Sequence, residues 1–579
     1  MQEKRWLLKP IPAEEDIQHL KKAINASDAL AKILVQRGLL DFHAVKTFFN
    51  PDLKQLHNPF LMKDMDVAVN RISDAIENQE NILVYGDYDV DGTTAVSLLY
   101  DFLHQEYQNV SYYIPDRYKE GYGISTQGID FAEDNGFSLI IALDCGIKAN
   151  DKVAYANEKG IDFIICDHHL PGKQLPKAAA ILNPLQADCK YPFKSLCGCG
   201  IGFKLAQALT ISWNLDIETP FKYIDLVAIA TGADIVPMIG ENRILVYFGM
   251  RAMERLLRPG LAELLEKAGL AEKARLSKHE MTVSDMVFKI GPRINAAGRM
   301  EHGSIAVELL TAKTSSHAQD FAALLNQHNQ DRRDEDKKLL EEAMEMMDKT
   351  PEKASYKSTV LFASHWHKGV IGIAASRIQD HYYRPTIILT ESNGMASGSA
   401  RSVKGFDVHA AIEECSDLLI NFGGHPAAAG MTLDKHNIEA FRKRFEATVT
   451  AQIKEEQLSP CIDIDLEIDF EEITPKFYNQ LNRIAPFGPH NMRPVFVTHN
   501  LKDTGKSRSV GEDKSHLKLE VQPIDNGQQI MSGIAFGFGH LAEKLKKAGS
   551  FSLVYSLETN DFKGKRTTQL MIKDIRIDE

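Results

Sequence analysis

The segment from residue 70 to residue 182 most strongly constrains the fold of this 579-residue chain. Short, continuous apolar runs alternate there with amphipathic runs, beginning with a helical pattern at 66–79. Such apolar runs indicate strands buried on both faces, as in parallel sheets covered by helices. The predicted strands are 81–85, 110–114, 139–144, 162–167 and 179–182, and the helices between them are 93–106, 128–135 and 151–159. The segment therefore predicts βαβ units and an α/β fold with a parallel sheet.

The remaining sequence predicts further domains, because a chain this long exceeds the size of one hydrophobic core. Residues 1–70 predict short helices that cap or extend a first domain at 71–315. The stretch 316–350 predicts a linker helix, and we interpret its charged middle as a solvated face. Residues 351–454 predict a second α/β block, with strands at 358–363 and 386–390 and helices at 371–380 and 408–415.

The last part of the chain, residues 455–579, is dominated by strand patterns. Period-2 alternation occurs at 496–502, 516–521, 530–536, 551–558 and 568–577. Five short strands predict a small barrel of the oligonucleotide-binding type. Aromatic residues are interleaved with Lys and Arg in these strands, namely Phe536, Phe538, Tyr555 and Phe562. They suit base stacking along a single strand, although half of them could equally belong to the barrel core.

Composition narrows the class of protein. The net charge of −12 argues against a protein that coats nucleic acid non-specifically, but it permits a local basic groove. The seven cysteines have no framework spacing, which suits a reducing compartment. No stretch approaches 18 consecutive apolar residues, and the first residues lack the pattern of a secretory signal. We therefore expect a cytoplasmic protein without a membrane segment.

Acidic residues and histidines follow three of the predicted strands. Asp87, Asp89 and Asp91 follow the strand at 81–85, Asp144 ends the strand at 139–144, and Asp167, His168 and His169 follow Cys166. The carboxyl ends of parallel strands line the ligand crevice, and clustered carboxylates repel one another unless a cation neutralises them. A calcium loop starting at Asp87 would need a Glu at its twelfth position, where this chain has Leu98.

A further acid, Asp234, follows a helix of small residues and joins this set. Carboxylates combined with imidazoles favour Mn²⁺ or Mg²⁺ over Fe²⁺ and Zn²⁺. The number of candidate ligands fits two ions better than one. Two ions can activate a water molecule and clamp a phosphate oxygen, so the set suits two-metal hydrolysis of phosphoesters.

Four segments, in order, carry a resemblance to a known family. Gly86-Asp-Tyr-Asp-Val-Asp-Gly92, Asp144-Cys-Gly146, Asp167-His-His169 and Ala233-Asp-Ile-Val-Pro237 resemble the DHH phosphoesterase superfamily. Within it, the chain resembles the RecJ family of bacterial single-strand-specific 5′→3′ DNA exonucleases. Further matching segments extend the resemblance over nearly the whole chain, namely 197–204, 291–299, 366–373, 397–401, 422–430 and 486–489.

The resemblance implies roles for the acidic set. Asp89 and Asp91 would each hold one metal ion, Asp144 would bridge the two ions, and His168 and Asp234 would complete the second site. The remaining catalytic residues implied are Asp87, Asp167 and His169, of which Asp87 and His169 would contact the ligands or face the substrate. Many superfamily members have a histidine where this chain has Tyr85, so one ion could be held more weakly.

The resemblance also implies a substrate-binding side. Arg293, Asn295 and Arg299 would face phosphates, although their spacing alone fits a turn with solvated arginines equally well. The block at 351–454 would bind substrate across a cleft, through His367, Arg377, Ser399, Arg401, Gly423, Gly424 and His425. Backbone N–H groups of the glycines could form an anion-binding nest there.

The hypothesis from sequence is a single-stranded-DNA-specific 5′→3′ exonuclease that releases 5′-mononucleotides during DNA repair and recombination. It implies two divalent cations, single-stranded DNA as partner, helicase and single-strand-binding proteins as further partners, and a monomer. The alternatives are a short-oligonucleotide or cyclic-dinucleotide phosphodiesterase and a non-catalytic DNA-binding scaffold. The barrel argues against the former, and the complete acidic set argues against the latter.

Overall fold

The structure is a computed structural model, and it describes residues 3–275, 281–349, 355–525, 529–562 and 565–578. The chain forms two compact units. One comprises Asp52–Leu458, and the other combines Met1–Pro51 with Ser459–Glu579. The expected last residue of the linker helix, 350, and the expected first residues of the second block, 351–354, lie outside the described residues. So do residues 563 and 564 within the last strand pair.

The N-terminal elements correct one expectation from the sequence. They are a strand, β1 (Arg5–Leu8), and the helices α1 (Glu14–Ile24), α2 (Asp28–Val35) and α3 (Phe42–Phe49). We expected them to extend the first domain, but only residues from Asp52 onward belong to that unit. Leu20, Ile33 and Leu34 are fully buried in one apolar cluster with Leu466, Phe477 and Tyr555. The amphipathic faces of these helices thus complete the core of the terminal unit.

The longer unit begins with α4 (Met65–Glu77) and a five-stranded parallel sheet in the order β3-β2-β4-β5-β6. The sheet and its helices follow the predicted alternation. The elements are β2 (Asn81–Gly86), α5 (Val90–Glu106), β3 (Val110–Tyr113), α6 (Thr126–Asp134), β4 (Phe137–Leu143), α7 (Asn150–Glu158), β5 (Asp162–Cys166) and β6 (Ala180–Leu182). Apolar clusters lie on both faces of the sheet, because adjacent strand residues such as Ile140 and Ile141 enter different clusters.

Helices continue the longer unit beyond the sheet. They are α8 (Gly198–Ser212), α9 (Ile224–Ala233), α10 (Gly240–Glu254), α11 (Pro259–Lys267), α12 (Ala271–Arg275), α13 (Val283–Asp285), α14 (Gly291–Met300) and α15 (Ser304–Thr311). A π-helical turn at Met286–Ile290 joins α13 to α14. The predicted long helix is α16 (Ser315–Asp348), which begins at the N-cap Thr314. Within the described part of the chain, no helix is long and apolar enough to cross a membrane.

The second α/β block contains a five-stranded mixed sheet in the order β10-β11-β9-β8-β7. Its elements are β7 (Thr359–Phe362), α17 (Ile371–Tyr382), β8 (Thr386–Ser392), β9 (Met395–Arg401), α18 (Val408–Glu413), β10 (Asn421–His425), β11 (Ala428–Leu433) and α19 (Ile438–Gln452). The sequence predicts β7, β8, α17 and α18 but not the three antiparallel strands β9, β10 and β11. These strands carry Gly, Ala and Ser in place of the β-branched residues typical of strands.

The terminal unit contains the predicted barrel-like sheet. Its elements are β12 (Cys461–Ile464), β13 (Leu466–Glu467), α20 (Pro475–Asn482), β14 (Phe496–Asp503), β15 (Arg508–Val510), β16 (His516–Pro523), β17 (Met531–Ala535), α21 (Ala542–Lys547), β18 (Phe551–Phe562) and β19 (Lys565–Ile577). Seven strands follow the order β13-β14-β18-β19-β17-β16-β15, and a pairing of β14 with β16 bends them into a partial ring. The short strands β13 and β15 are additions to the five predicted. β12 pairs instead with β1, in parallel.

Candidate metal centre and substrate-facing surface

The carboxylate of Asp91 lies between the first turns of two helices. Asp91 belongs to the first turn of α5, whose N-cap is Asp89. Its two carboxylate oxygens accept hydrogen bonds from the N–H groups of Gly198 (2.6 Å) and Cys199 (2.7 Å), which open α8. Helix N-termini carry unpaired N–H groups and a partial positive charge, so this arrangement fixes an anionic side chain in a buried position.

His168 is the central side chain of the centre. Its Nε2 atom lies 3.1 Å from Asp144 Oδ1, 3.6 Å from Asp234 Oδ2 and 3.8 Å from Asp91 Oδ2. His169 contributes a ring nitrogen to a second group, formed with Asp144 and His168. In each group, Asp91–His168–Asp234 and Asp144–His168–His169, the ligand-type atoms lie within 4.8 Å of one another. The edge of the parallel sheet thus brings together residues from three strand ends and from the end of α9.

The charges of this centre are not balanced by the protein itself. Asp144 Oδ1 and Asp234 Oδ2 are buried, and neither accepts a hydrogen bond of acceptable geometry. Burial, followed by the repulsion of Asp91, raises the pKa of Asp234 to about 9 and raises that of Asp144 well above its usual range. Burial lowers the pKa of His168, which favours the neutral imidazole that binds metals. Oxygen donors around a neutral imidazole fit a divalent cation such as Mn²⁺ or Mg²⁺.

Asp167 orients His169 rather than joining the ligand-type atoms. Its Oδ1 lies 2.7 Å from His169 Nδ1, and its Oδ2 accepts a hydrogen bond from the Ile147 N–H at 2.9 Å. Burial alone would raise the pKa of Asp167, but its contacts with His169 hold it below the usual range. The hydroxyl of Tyr122, a residue not identified from the sequence, lies 3.2 Å from His169 Nε2. A carboxylate behind a histidine fixes the tautomer and direction of the ring.

The first two aspartates of the motif, Asp87 and Asp89, lie beside the centre. Asp87 is fully buried, and burial together with the charge of Asp89 raises its pKa well above the usual range. Asp89 accepts a hydrogen bond from the Gly92 N–H (3.0 Å), and burial and the charge of Asp91 raise its pKa. The assignment of Asp89 as a ligand remains a prediction, since its oxygens are not among the two ligand-type groups.

Tyr85, which stands where a histidine occurs in many superfamily members, fills the core. Its ring stacks on Tyr113 with a centroid distance of 5.4 Å. Its hydroxyl donates to the Gly123 carbonyl (2.9 Å) and accepts from the Ser125 N–H (3.1 Å). The hydroxyl is therefore engaged with the loop before α6, and the cation would be held without a side chain from this position.

We expect Gly198→Ala to lower the kcat of phosphoester hydrolysis about tenfold. A Cβ at this position would lie 2.5 Å from Asp144 Cβ and 2.8 Å from Asp144 Cα, so Asp144 or the first turn of α8 must shift. A misplacement of about 1 Å can lower a rate about 100-fold, so we expect a smaller shift of Asp144 to cost about tenfold. Gly200→Ala is the matched control in the same helix, because its Cβ would make ordinary contacts with Leu196 at 3.4 Å and with Cys197 Sγ at 3.7 Å. Equal kcat values for the two variants, measured with Mn²⁺ at saturation, would contradict this prediction.

The three predicted residues of α14 have different surroundings. Asn295 accepts a hydrogen bond from the Val90 N–H (3.1 Å), so it braces the start of α5, which carries Asp89 and Asp91. Arg293 donates to Asn326 Oδ1 and to the carbonyls of Lys289 and Lys267. Arg293 therefore contacts residues of α11, of the π-helical turn and of α16.

Arg299 belongs to a half-buried group of positive charges, which we call the arginine cluster: Arg117, Arg299, Arg332 and Arg401. Burial, followed by the charges of the other three arginines, lowers the pKa of Arg299 to about 10. The guanidinium stays protonated at neutral pH, so the cluster favours an anion that would relieve the repulsion. Arg299 also donates to the Gly369 carbonyl (2.9 Å), which links α14 to the second block.

The sequence identifies Arg299 and Arg401 but misses Arg117 and Arg332. Arg117 lies shortly after the carboxyl end of β3. Because the carboxyl ends of parallel strands line the ligand crevice, this position could have identified Arg117 from the sequence. Its guanidinium stacks over the ring of Tyr88, with a distance of 5.0 Å to the centroid. Arg332 lies in the charged middle of α16, which we interpreted as a solvated face. That interpretation is wrong here, since burial lowers the pKa of Arg332 and nearby Asp336 is 1 % exposed.

The register of the second sheet places four predicted substrate residues on one face. Arg401 pairs with Ala428 and Ala428 with His425, while Ser399 pairs with Gly430 and Gly430 with Gly423. Opposed residues of antiparallel strands point to the same face, and Ser399 and Arg401 are two residues apart. Gly424 takes the alternate position, at φ +149°, beside Ala429.

This face is open and carries a fixed guanidinium. A Cβ at Gly423 would meet nothing within 4 Å. Arg401 donates from Nε to Ser376 Oγ (3.1 Å) and from Nη1 to Ser399 Oγ (2.9 Å). The two serines hold the planar group in one orientation, as bidentate recognition of a phosphate requires. The other two predicted residues of the block, His367 and Arg377, make contacts of their own. His367 accepts a hydrogen bond from the Gly369 N–H (3.1 Å), and Arg377 forms an ion pair with Asp336 (3.1 Å).

Three family profiles match the chain. The DHH family, N-terminal domain, matches residues 81–231, the DHHA1 domain matches residues 355–451, and the RecJ OB domain matches residues 464–574. The first covers the parallel sheet and α8, the second covers the block that carries Arg401, and the third covers the barrel-like sheet. The three profiles follow the order expected from the sequence, which is an α/β domain, a second α/β block and a barrel.

Similar proteins match nearly the full length of this chain. The chain is 37% identical to the single-stranded-DNA-specific exonuclease RecJ of Bacillus subtilis, over 99% of this chain and 71% of that protein. The crystal structure of RecJ from Thermus thermophilus with Mn²⁺ has a TM-score of 0.83 and 26% identity, covering 99% of this chain and 80% of that one. The structure of the same protein with Mg²⁺ has a TM-score of 0.77 and 25% identity, covering 99% and 79%. The chain therefore belongs to the RecJ family of single-stranded-DNA-specific exonucleases.

Proposed function

We propose that this chain is a metal-dependent exonuclease that degrades single-stranded DNA from the 5′ end and releases 5′-mononucleotides, in DNA repair and recombination. The observation that carries the proposal is the pairing of two features within one compact unit. One is the buried, unneutralised centre around His168, and the other is the face of the second sheet with the fixed guanidinium of Arg401. Membership of the RecJ family supports the choice of single-stranded DNA as substrate.

Two divalent cations, Mn²⁺ or Mg²⁺, fit the donor set. We assign their ligands to Asp89, Asp91, Asp144, His168 and Asp234, with Asp144 shared between them. When bound, such ions polarise a phosphate oxygen and lower the pKa of a bound water molecule. The α8 N-terminus fixes Asp91, and Asp167 directs the ring of His169 toward the centre. Asn295 holds the Val90 backbone, and thereby the start of α5, to which Asp89 and Asp91 belong.

The substrate-facing surface would hold the 5′-terminal phosphate. Arg401 and Ser399 offer a charged fork and a hydroxyl, and the exposed His425 lies in the same register row as Arg401. Gly423 leaves the face unobstructed. A terminal phosphate bound there would set the adjacent phosphodiester at the metal centre, so cleavage would proceed stepwise from the 5′ end. The other members of the arginine cluster, of which Arg401 is one, would add positive charge that favours the phosphates of the strand.

The test compares linear and circular substrates. Linear single strands labelled at either end, a circular single strand and a blunt duplex are incubated with Mn²⁺ or Mg²⁺. We expect 5′-mononucleotides from the linear strand, with early loss of the 5′ label, and no digestion of the circle or the duplex. Efficient digestion of the circle would refute anchoring at the 5′ end. Faster cleavage of dinucleotides than of longer strands would instead favour the short-oligonucleotide phosphodiesterase.

We propose that the barrel-like sheet extends the grip on long strands through exposed aromatic rings. Of the four aromatics identified from the sequence, Phe538 and Tyr555 are buried in the core, Phe536 is 58% exposed, and the side chain of Phe562 lies outside the described residues. The ring of Phe536 lies edge-on to His516, with centroids 5.0 Å apart. Phe536 is thus the ring most available for stacking on a base.

We expect Phe536→Ala to weaken binding of a 20-nucleotide strand about tenfold, because stacking of one base on an aromatic ring contributes about 1–3 kcal/mol. Binding of a four-nucleotide strand should be unchanged. The control is Ile530→Ala, which removes a half-exposed apolar side chain without a ring. The intact chain is preferable to deletion of residues 455–579, since deletion would uncover the helices at 14–49. Equal losses on the short and the long strand would argue against a separate binding surface.

We further propose the domain limits 71–315, 316–350, 351–454 and 455–579 for the catalytic domain, linker helix, substrate-binding domain and barrel, with residues 1–51 reassigned to the barrel. We propose that the chain acts as a monomer in the cytoplasm, together with a helicase and a single-strand-binding protein. All seven cysteines are free thiols, which supports a reducing compartment. A helicase would be required because the enzyme should not open duplex DNA by itself.

A further inference from the structure

Ile235 adopts a backbone conformation that its side chain disfavours. It follows Asp234, the C-cap of α9, and has φ +59°. Its N–H donates to the Gly232 carbonyl at 3.4 Å. Glycine or asparagine normally occupies this left-handed position after a helix, since a branched Cβ crowds the backbone there. Twelve non-glycine residues have positive φ in the described part of the chain, and Ile235 is the one that is β-branched.

The side chain of Ile235 gains little from folding. It is 63% exposed, whereas Val236 packs against the main apolar cluster and Met238 is fully buried. The segment is therefore anchored after Ile235, while Ile235 itself is held outward. A glycine would satisfy the same helix end without strain, so the isoleucine must contribute something other than stability.

Ile235 lies at the edge of the metal centre. The carboxylate of its neighbour Asp234 is 3.6 Å from His168 Nε2. Two other exposed apolar side chains adjoin the same centre: Leu170, 64% exposed, follows His169 directly, and Tyr122, 56% exposed, places its hydroxyl near His169. A charged centre bordered by exposed apolar groups suits a ligand that combines phosphates with flat apolar rings.

We infer that Ile235 is a specificity-determining residue whose side chain packs against the base of one of the two nucleotides that flank the scissile phosphodiester. The inference rests on the proposed exonuclease function. Every base presents an apolar face, so the contact would select for the presence of a base rather than its identity. It would also select for an unpaired and unstacked base, because a base covered by its neighbours has no face free for the side chain.

The test pairs a protein change with a substrate change. The substrates are 5′-phosphorylated thymidine 12-mers, either intact or with one abasic residue at position 1, 2 or 6. Wild-type kcat/KM should fall about tenfold for an abasic residue at position 1 or 2 and stay unchanged for position 6. Ile235→Gly should be about tenfold slower than wild type on the intact 12-mer. An abasic residue at the position where wild type loses activity should cause no further loss in this variant. Ile217→Gly, which removes another isoleucine that is 57% exposed, should match wild type throughout.

Thermal unfolding separates this role from a structural one. Ile235→Gly should unfold at the wild-type temperature or above, and Ile235→Asn, which also tolerates positive φ, should show the same loss of sensitivity to the abasic residue. If the loss caused by Ile235→Gly and the loss caused by the abasic residue multiply at both position 1 and position 2, the inference is overturned and the proposed exonuclease function still stands. A wild-type protein that degrades none of the oligonucleotides would overturn the proposed function and this inference together.

Discussion

Asp144→Asn should lower the rate of single-strand hydrolysis by a factor on the order of 10³ without unfolding the protein. Asp144 is the carboxylate nearest to His168, and its Oδ1 accepts no hydrogen bond from the chain. If Asp144 is shared by two cations as proposed, its loss would remove several kcal/mol of transition-state stabilisation. Asparagine keeps the size of the side chain and tolerates the backbone at φ +60°. Burial and the charge of Asp91 raise the pKa of Asp144 and so disfavour its ionised form, and an uncharged amide should therefore leave the metal-free protein at least as stable.

Two measurements make this prediction specific. Single-turnover rates with saturating Mn²⁺ give the catalytic effect, and thermal unfolding with and without Mn²⁺ gives the binding effect. Mn²⁺ should raise the unfolding temperature of wild type but much less that of the variant, because a bound ligand stabilises the folded state. Asp64→Asn, which changes an aspartate with φ +62° at the N-cap position of α4, is the matched control and should behave as wild type. A rate for Asp144→Asn within tenfold of wild type would rule out the shared-ligand role.

Arg401→Ala should slow degradation of 5′-phosphorylated strands by a factor on the order of 100 and that of 5′-hydroxyl strands by much less. The guanidinium is held by Ser376 and Ser399 on the open face of the second sheet. A charge-assisted hydrogen bond contributes about 1.5–3 kcal/mol, and a bidentate pair lies at the upper end of that range. The difference between the two substrates isolates the contact with the terminal phosphate from any general loss of charge.

Arg401→Lys refines this test, since lysine retains the charge but not the planar fork. It should recover only a small part of the lost rate. His425→Ala should shift the same ratio in the same direction, because His425 lies in the register row of Arg401. Arg442→Ala, which removes an arginine that donates to the Val360 carbonyl, serves as the control in this block. Equal losses on both substrates for Arg401→Ala would place the 5′ phosphate elsewhere.

The fold of the catalytic half follows closely from its sequence, because local signals and the global fold agree there. The runs that became β2, β4 and β5 are continuous and apolar, and such strands can only be buried on both faces. In the second block, β10 contains Gly423 and Gly424, and β11 contains Gly430. Strands rich in glycine and alanine give no propensity signal, and their pairing partners define them instead.

The candidate site was predictable as far as it depends on the ends of strands. Asp144 follows β4 directly and His168 is the second residue after β5, so the rule about carboxyl ends identifies them without knowledge of the fold. The role of Asn295 depends on a contact with Val90, 205 residues away, which no local pattern encodes. Arg332 was hidden in a run of charges, because the sequence does not indicate which face of α16 meets the second block.

The pairing of β1 with β12 has a consequence for biosynthesis. Residues 5–8 lie beside residues 461–464, and α1 to α3 complete a core whose other residues come later in the chain. About 450 residues separate the two strands, so a ribosome adding roughly 5–20 residues per second needs about 20–90 s to supply the partner. During that interval Leu20, Ile33 and Leu34 have no core to enter, whereas the catalytic unit emerges as one uninterrupted segment and can fold. The nuclease centre should therefore mature on the nascent chain while the N-terminal helices still depend on chaperones, and the barrel should be the last part to become stable.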